Sequence, residues 1–161
     1  MLFFGVLNVT NAKDSNIVRA SDFSEFKGKG ANTTILIIGA NGSVARVLED
    51  ALLESSDVKL KLFLRNASRL SNLQNKYPNR VELIEGDARD KATLTRAMKG
   101  ANIAYANLDG DLPTMASAII DSMRESGLKR LIWISSFGVY DEIPKSEINR
   151  IKAYLPPHIG G

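Results

Sequence analysis

Thr34–Ala45 reads TILIIGANGSVA: an apolar strand, a turn with two glycines, and the opening of an amphipathic helix. The chain leaving Ile38 has to stop, turn sharply and begin a helix within about three residues, and Gly39 permits that turn without a Cβ clash. Gly42 leaves the backbone bare at the point where a ligand would approach. The N–H groups of Asn41, Gly42, Ser43 and Val44 then stand at the positive end of a helix dipole, which holds a pyrophosphate without needing a lysine. The third position of this G-x-x-G-x-x-A spacing calls for a small residue so that helix and strand pack closely, and Ala45 supplies one. Tight glycine turns also occur with no ligand, but the strand before this one and the helix after it point to a dinucleotide-binding turn.

Downstream the pattern alternates. Val44, Val47, Leu48, Ala51 and Leu52 recur at helical spacing with Arg46, Glu49 and Asp50 on the other face, which predicts a helix over Ser43–Leu53. Val58–Leu64 (VKLKLFL) reads as a second strand, Ser68–Lys76 as a weaker helix closed by Tyr77-Pro78, and Val81–Ile84 as a third strand. Asp90 caps a helix running to Met98, ended by Lys99 and Gly100, and Ile103–Ala106 is a fourth strand. Asp111 and Pro113 open a helix with Met115, Ile119 and Met123 along one side, Gly127 closes it, and Leu131–Ile134 is a fifth strand. Strands alternating with helices of this length pair in parallel through right-handed crossovers. The expected fold class is therefore α/β, a doubly wound parallel sheet of Rossmann type with five core strands in the order 3-2-1-4-5.

Residues 33–161 read as one nucleotide-binding domain and residues 1–32 as a leader outside the core, because Thr10–Asn32 is polar with no sustained period. The apolar start, Met1–Val9, lacks the basic flank of a secretory signal and falls short of the roughly 20 residues that span a bilayer. It reads as an extra edge strand or an extension. No membrane association is expected, and the expected compartment is the cytoplasm. The 161 residues include 44% hydrophobic ones, enough for a core, and the net charge of +3 is scattered along the chain, so no nucleic-acid partner is expected. With no cysteine and only His158 as histidine, thiolate chemistry is excluded and no metal site is expected.

The ligand crevice of a doubly wound sheet lies beyond the carboxyl ends of its strands, at the switch point between the first and fourth. Those ends carry Gly39–Val44, Arg65, Gly86-Asp87, Asn107 and Ser135-Ser136, all polar or glycine apart from Ala40 and Val44 in the turn, after strands that are mostly apolar. An NAD site offers a carboxylate about 20 residues past the glycines, at the end of the second strand. Asp57 has nearly that count but precedes the second strand, at the opposite rim. At the correct end stands Arg65, whose planar guanidinium suits a 2′-phosphate, with Arg69, Asn66 and Ser68 nearby. NADP (NADPH) is thus favoured over NAD, the alternative being a strand-end arginine that is merely solvated.

These residues resemble the atypical short-chain dehydrogenase/reductase group, specifically its NmrA-like and NAD(P)H-binding members related to flavin and biliverdin reductases. The resemblance runs from about Thr34 to Tyr140 and is carried by IGANGSVA, LFLRNASRL, IEGDARD and LIWISSFGVYDE. It implies a pyrophosphate cradle at Gly39, Asn41, Gly42, Ser43 and Val44, a 2′-phosphate contact at Arg65, and Asp87 and Ala88 beside the adenine. It further implies Asn107 beside the nicotinamide ribose. Typical members place a serine after the fifth strand and a Tyr-x-x-x-Lys pair, in which the lysine lowers the tyrosine pKa. Here Ser135 and Tyr140 are the candidate catalytic residues, yet Lys145 falls one position beyond that spacing, and Tyr154 is followed by Leu155-Pro156-Pro157-His158. A strand-end turn with a packed tyrosine explains the same residues.

Full members of the group also continue past the fifth strand, where this chain offers Ser146–Leu155 as one short amphipathic helix and stops at Gly161. The expected function is therefore an NADP(H)-dependent oxidoreductase acting on a small carbonyl, quinone or flavin. Two alternatives stay open: a non-catalytic NAD(P)-sensing protein of NmrA type, and a truncated fragment that keeps only the cofactor half.

Overall fold

A computed structural model of the chain describes residues 30–134. A turn closed by the Thr33 N–H donating to the Gly30 carbonyl at 2.7 Å leads into β1 (Thr34–Ile38). There follow α1 (Ser43–Ser55), β2 (Lys59–Leu64), a 3-10 turn (Ala67–Leu70), α2 (Ser71–Lys76) and β3 (Val81–Glu85). The chain continues through α3 (Lys91–Met98), β4 (Ile103–Ala106), α4 (Leu112–Ser126) and β5 (Leu131–Trp133). All five strands run parallel in the order β3-β2-β1-β4-β5, the doubly wound sheet expected from the alternation.

The two-residue period of the strands sorts their side chains into two cores. Leu36, Ile38, Phe63, Ala104 and Ala106 pack with Leu94 and Met98 of α3 and Ile119 of α4. Ile37, Leu60, Leu62, Leu64 and Tyr105 pack on the other side with Ala45 and Leu53 of α1 and Leu73 of α2. Central β1 is buried on both faces, which explains why its sequence runs apolar without alternating.

Two cations close the rim away from the glycine turn. Lys61 interrupts β2 on the α3 side, and its Nζ donates to the carbonyls of Ala97 (3.3 Å) and Lys99 (2.7 Å) at the C-terminal end of α3. Arg80 does the same for α1, donating to the carbonyls of Leu52, Leu53 and Ser56 at 3.3, 3.0 and 2.7 Å, and to Val58 at 3.1 Å. Both meet the negative end of a helix dipole and bond carbonyls in or just past the last turn, of which that of Leu52 also accepts from the Ser56 N–H.

Two expectations need correction. Glu49, placed by its charge on the solvent face of α1, is 0% exposed, whereas Val47 is 64% exposed. Ala45, the small third position of the glycine motif, seats the helix on the sheet, so residues four and eight further on, Glu49 and Leu53, follow it inward. The glycine motif, more than the count of apolar residues, sets the rotation of the helix. The helix foreseen over Ser68–Lys76 is also split, a 3-10 turn preceding α2, with the Ala67 N–H drawn to the Glu85 carboxylate at 3.1 Å. No helix among the described residues is long and apolar enough to cross a membrane.

Candidate functional site

Gly39 leaves β1 with φ +84°, in the left-handed region that favours glycine. Its N–H and that of Ala40 both donate to the Phe63 carbonyl, at 3.0 and 3.3 Å, which fastens the turn to the end of β2. On the other side the Asn107 N–H donates to the Ile38 carbonyl at 3.0 Å, fastening it to the end of β4. A Cβ on Gly39 would lie 2.1 Å from the Asn107 carbonyl oxygen, and one on Gly42 2.5 Å from Asn107 Nδ2. The bare glycines are what let Asn107 lie against the turn.

Gly42 is the N-cap of α1, with no side chain bonding the first-turn N–H groups and no acidic residue among them. The other two long helices differ: Asp90 accepts from the N–H groups of Ala92 and Thr93 at the start of α3, and Asp111 from that of Thr114 at the start of α4. An uncapped start at the switch point suits an external anion. In front of it opens a cavity of about 700 Å³ bounded by the ends of β1 to β4.

Of the residues anticipated from the sequence, Gly39, Asn41, Gly42, Arg65, Asp87, Ala88 and Asn107 line this cavity. Ser43 and Val44 form the first turn of α1 outside its wall. Ser135 and Tyr140 lie outside the described residues. Asp57 precedes β2 and does not reach the cavity, whereas Arg65, Asn66 and Arg69 do. The Glu85 carboxylate at the end of β3 accepts from the Ala67 N–H of that loop at 3.1 Å.

The sequence reading missed Arg89. Its Nε and NH2 grip the two carboxylate oxygens of Asp87 at 2.9 and 2.6 Å, and its N–H adds a bond to Oδ1 at 2.9 Å. These bonds, the side-chain ones first, hold the Asp87 carboxyl far below the usual carboxylate range, with the charge of Arg65 adding to the effect. The signal was present in IEGDARD, as an acid and a base two residues apart in one loop. Asp109 and Asp111, in the loop after β4, also line the cavity. Among the described residues no group of acidic or histidine side chains is arranged to hold a metal.

The site fits a dinucleotide: a glycine cradle that a Cβ would fill, an uncapped helix start, and a cavity lined from the ends of four strands across the switch point. The family described as NAD(P)H-binding matches residues 39–159. A Rossmann-fold NAD(P)-binding family protein from Shigella flexneri is 32% identical with a TM-score of 0.58, over 75% of this chain and 61% of that one. A wide-type short-chain dehydrogenase/reductase from Veillonella parvula, solved in complex with NADP, is 25% identical with a TM-score of 0.68, over 78% of this chain and 57% of its own. The anaerobillin reductase ChuY from Escherichia coli O157:H7 shares the fold at 24% identity and a TM-score of 0.59, over 75% of this chain and 61% of its own. The chain thus spans about three-fifths of the length of these structures. No curated protein matches the sequence significantly. With the match beginning at the very glycine that turns β1 into α1, and with the sheet order of a Rossmann fold around it, the chain belongs to the NAD(P)H-binding family.

Proposed function

We propose that this chain binds NADP(H) in preference to NAD(H), as the nucleotide-holding part of an oxidoreductase of the atypical short-chain dehydrogenase/reductase group. The observation that carries the preference is Arg65, which lines the cavity at the carboxyl end of β2, where an NAD-selective site carries an acid. Gly39, Asn41, Gly42, Ser43 and Val44 would hold the pyrophosphate, Asp87 and Ala88 the adenine, and Asn107 the nicotinamide ribose. The bound dinucleotide supplies the hydride, and the protein binds, orients and excludes water around it. Ser135 and Tyr140 are the candidates for contact with a substrate carbonyl.

Arg65→Ala is expected to weaken NADPH binding by on the order of 1.5–3 kcal/mol, the range for hydrogen bonds to charged groups, and to leave NADH binding nearly unchanged. Parallel fluorescence titrations of the two nucleotides read this directly. Equal losses for both would remove Arg65 from the 2′-phosphate.

Catalysis is tested separately, by following NADPH absorbance with a panel of quinones, flavins and small carbonyl compounds. Oxidation above the blank is the expected result. The spacing of Tyr140 and Lys145 favours a second reading, a nucleotide sensor of NmrA type. Tight binding with different affinities for oxidised and reduced nucleotide, and no turnover with any acceptor, would decide for the sensor.

A further inference from the structure

We propose that Arg89 sets the nucleotide preference of the cavity by cancelling the charge of Asp87, so that a 2′-phosphate can be held beside a carboxylate. The inference rests on the NADP(H) reading above. Asp87 and Arg65 line one cavity from adjacent strand ends, and they are close enough for the arginine to favour the ionised carboxyl. A phosphate gripped by Arg65 therefore finds an ionised aspartate as its neighbour. A phosphate monoester carries about −1.5 to −2 charges at pH 7, and a carboxylate in the same part-exposed cleft repels it, the more so at low salt.

Arg89 is arranged to remove that repulsion. Both of its side-chain bonds to Asp87 and the bond from its backbone N–H lie within one loop, so the pair is held by its own short stretch of chain. A bidentate arginine–carboxylate pair directs its attraction inward and leaves a nearly neutral surface. The more distant charge of Asp111 also favours the guanidinium cation, after the bonds to Asp87. Around the cavity Arg65, Arg69 and Arg89 stand against Asp87, Asp109 and Asp111. Loss of Arg89 leaves the acids in excess, and the one that loses its partner, Asp87, is half-buried and shares the cavity with Arg65. NAD(H) carries the pyrophosphate charges but not those of the 2′-phosphate, so the excess weakens it less. Arg89 is thus a positioning residue that acts through Asp87.

The test uses the full chain and titrates NADPH and NADH into the wild type, Arg89→Ala, and the double variant Arg89→Ala/Asp87→Asn, each at low and high salt. Arg89→Ala should weaken NADPH binding by roughly several-fold at low salt, the effect of one uncompensated charge in a part-exposed site, with a smaller loss at high salt. NADH binding should fall clearly less, and its persistence also shows that the variant is folded. Adding Asp87→Asn should restore most of the lost NADPH affinity, because the amide keeps an acceptor oxygen and removes the charge. If the double variant binds NADPH as weakly as Arg89→Ala, the guanidinium touches the phosphate itself and the proposal is wrong. Equal losses for both nucleotides would reduce Arg89 to a loop-shaping residue and overturn it as well. A wild type that binds the two nucleotides equally would instead sink the NADP(H) reading beneath it, a result visible before any variant is made.

Discussion

Gly39→Ala is expected to destabilise the fold by on the order of 2–5 kcal/mol and to abolish nucleotide binding. Two costs add here: holding an alanine in the left-handed region, roughly 1–2 kcal/mol, and an overpacked contact, typically 1–3 kcal/mol. The overpacking is severe because the atom 2.1 Å from the new Cβ is the Asn107 carbonyl oxygen, part of a backbone that is tied to β1. Gly100 separates the two terms, since its φ is +75° but nothing lies within 4 Å of an added Cβ. Gly100→Ala should therefore cost only the backbone term. Urea unfolding of both variants reads the difference, and equal midpoints would mean that β4 yields to the turn, contrary to the packing described.

Glu49→Gln is expected to stabilise the protein at alkaline pH. Burial, opposed by Arg46 at 2.6 Å, raises the Glu49 pKa from 4.5 to about 8. Below pH 4.5 the carboxyl is protonated in both the folded and the unfolded chain, and the two states bind the same number of protons. As the pH rises towards about 8 the unfolded chain releases its proton while the folded one keeps it, so stability falls across that window and levels off above it. One pKa unit corresponds to about 1.4 kcal/mol, which puts the total on the order of 5 kcal/mol. Glutamine does not titrate, so its profile should lack this slope. Thermal melts between pH 5 and pH 9 report the outcome, and parallel curves for the two proteins would show that Glu49 is ionised in the fold as it is in the unfolded chain.

What the sequence made legible followed from local rules with short reach. The strand–glycine–helix junction needs only about a dozen residues to declare itself, and the alternation of elements then constrains the sheet order. Arg65 was preferred to Asp57 by asking which rim each occupies, and the cavity includes the first and not the second. Glu49 was misplaced because the rotation of α1 is set where Ala45 meets the sheet, a tertiary contact that outweighs the charge of a single side chain. Arg89 escaped notice for a different reason. Asp87 and Arg89 lie beyond the end of β3, where neither helical nor strand periodicity applies, and their spacing gains a meaning only when the loop folds the arginine back onto Asp87.

The central place of β1 bears on how the chain is made. Its partners arrive late: Ile35 pairs with Leu60 of β2 and with Ile103 of β4, so both edges of β1 wait for chain that is synthesised after it. At about 5–20 residues per second, the interval before Ile103 emerges lasts roughly 3–14 s. During it TILII is an uncharged, β-prone run with two open edges, the kind of segment that recruits copies of itself on neighbouring nascent chains. Lys59 and Lys61 then take on a second value, because they charge the first strand that reaches β1 and so keep the half-built pair soluble until β4 closes the other side.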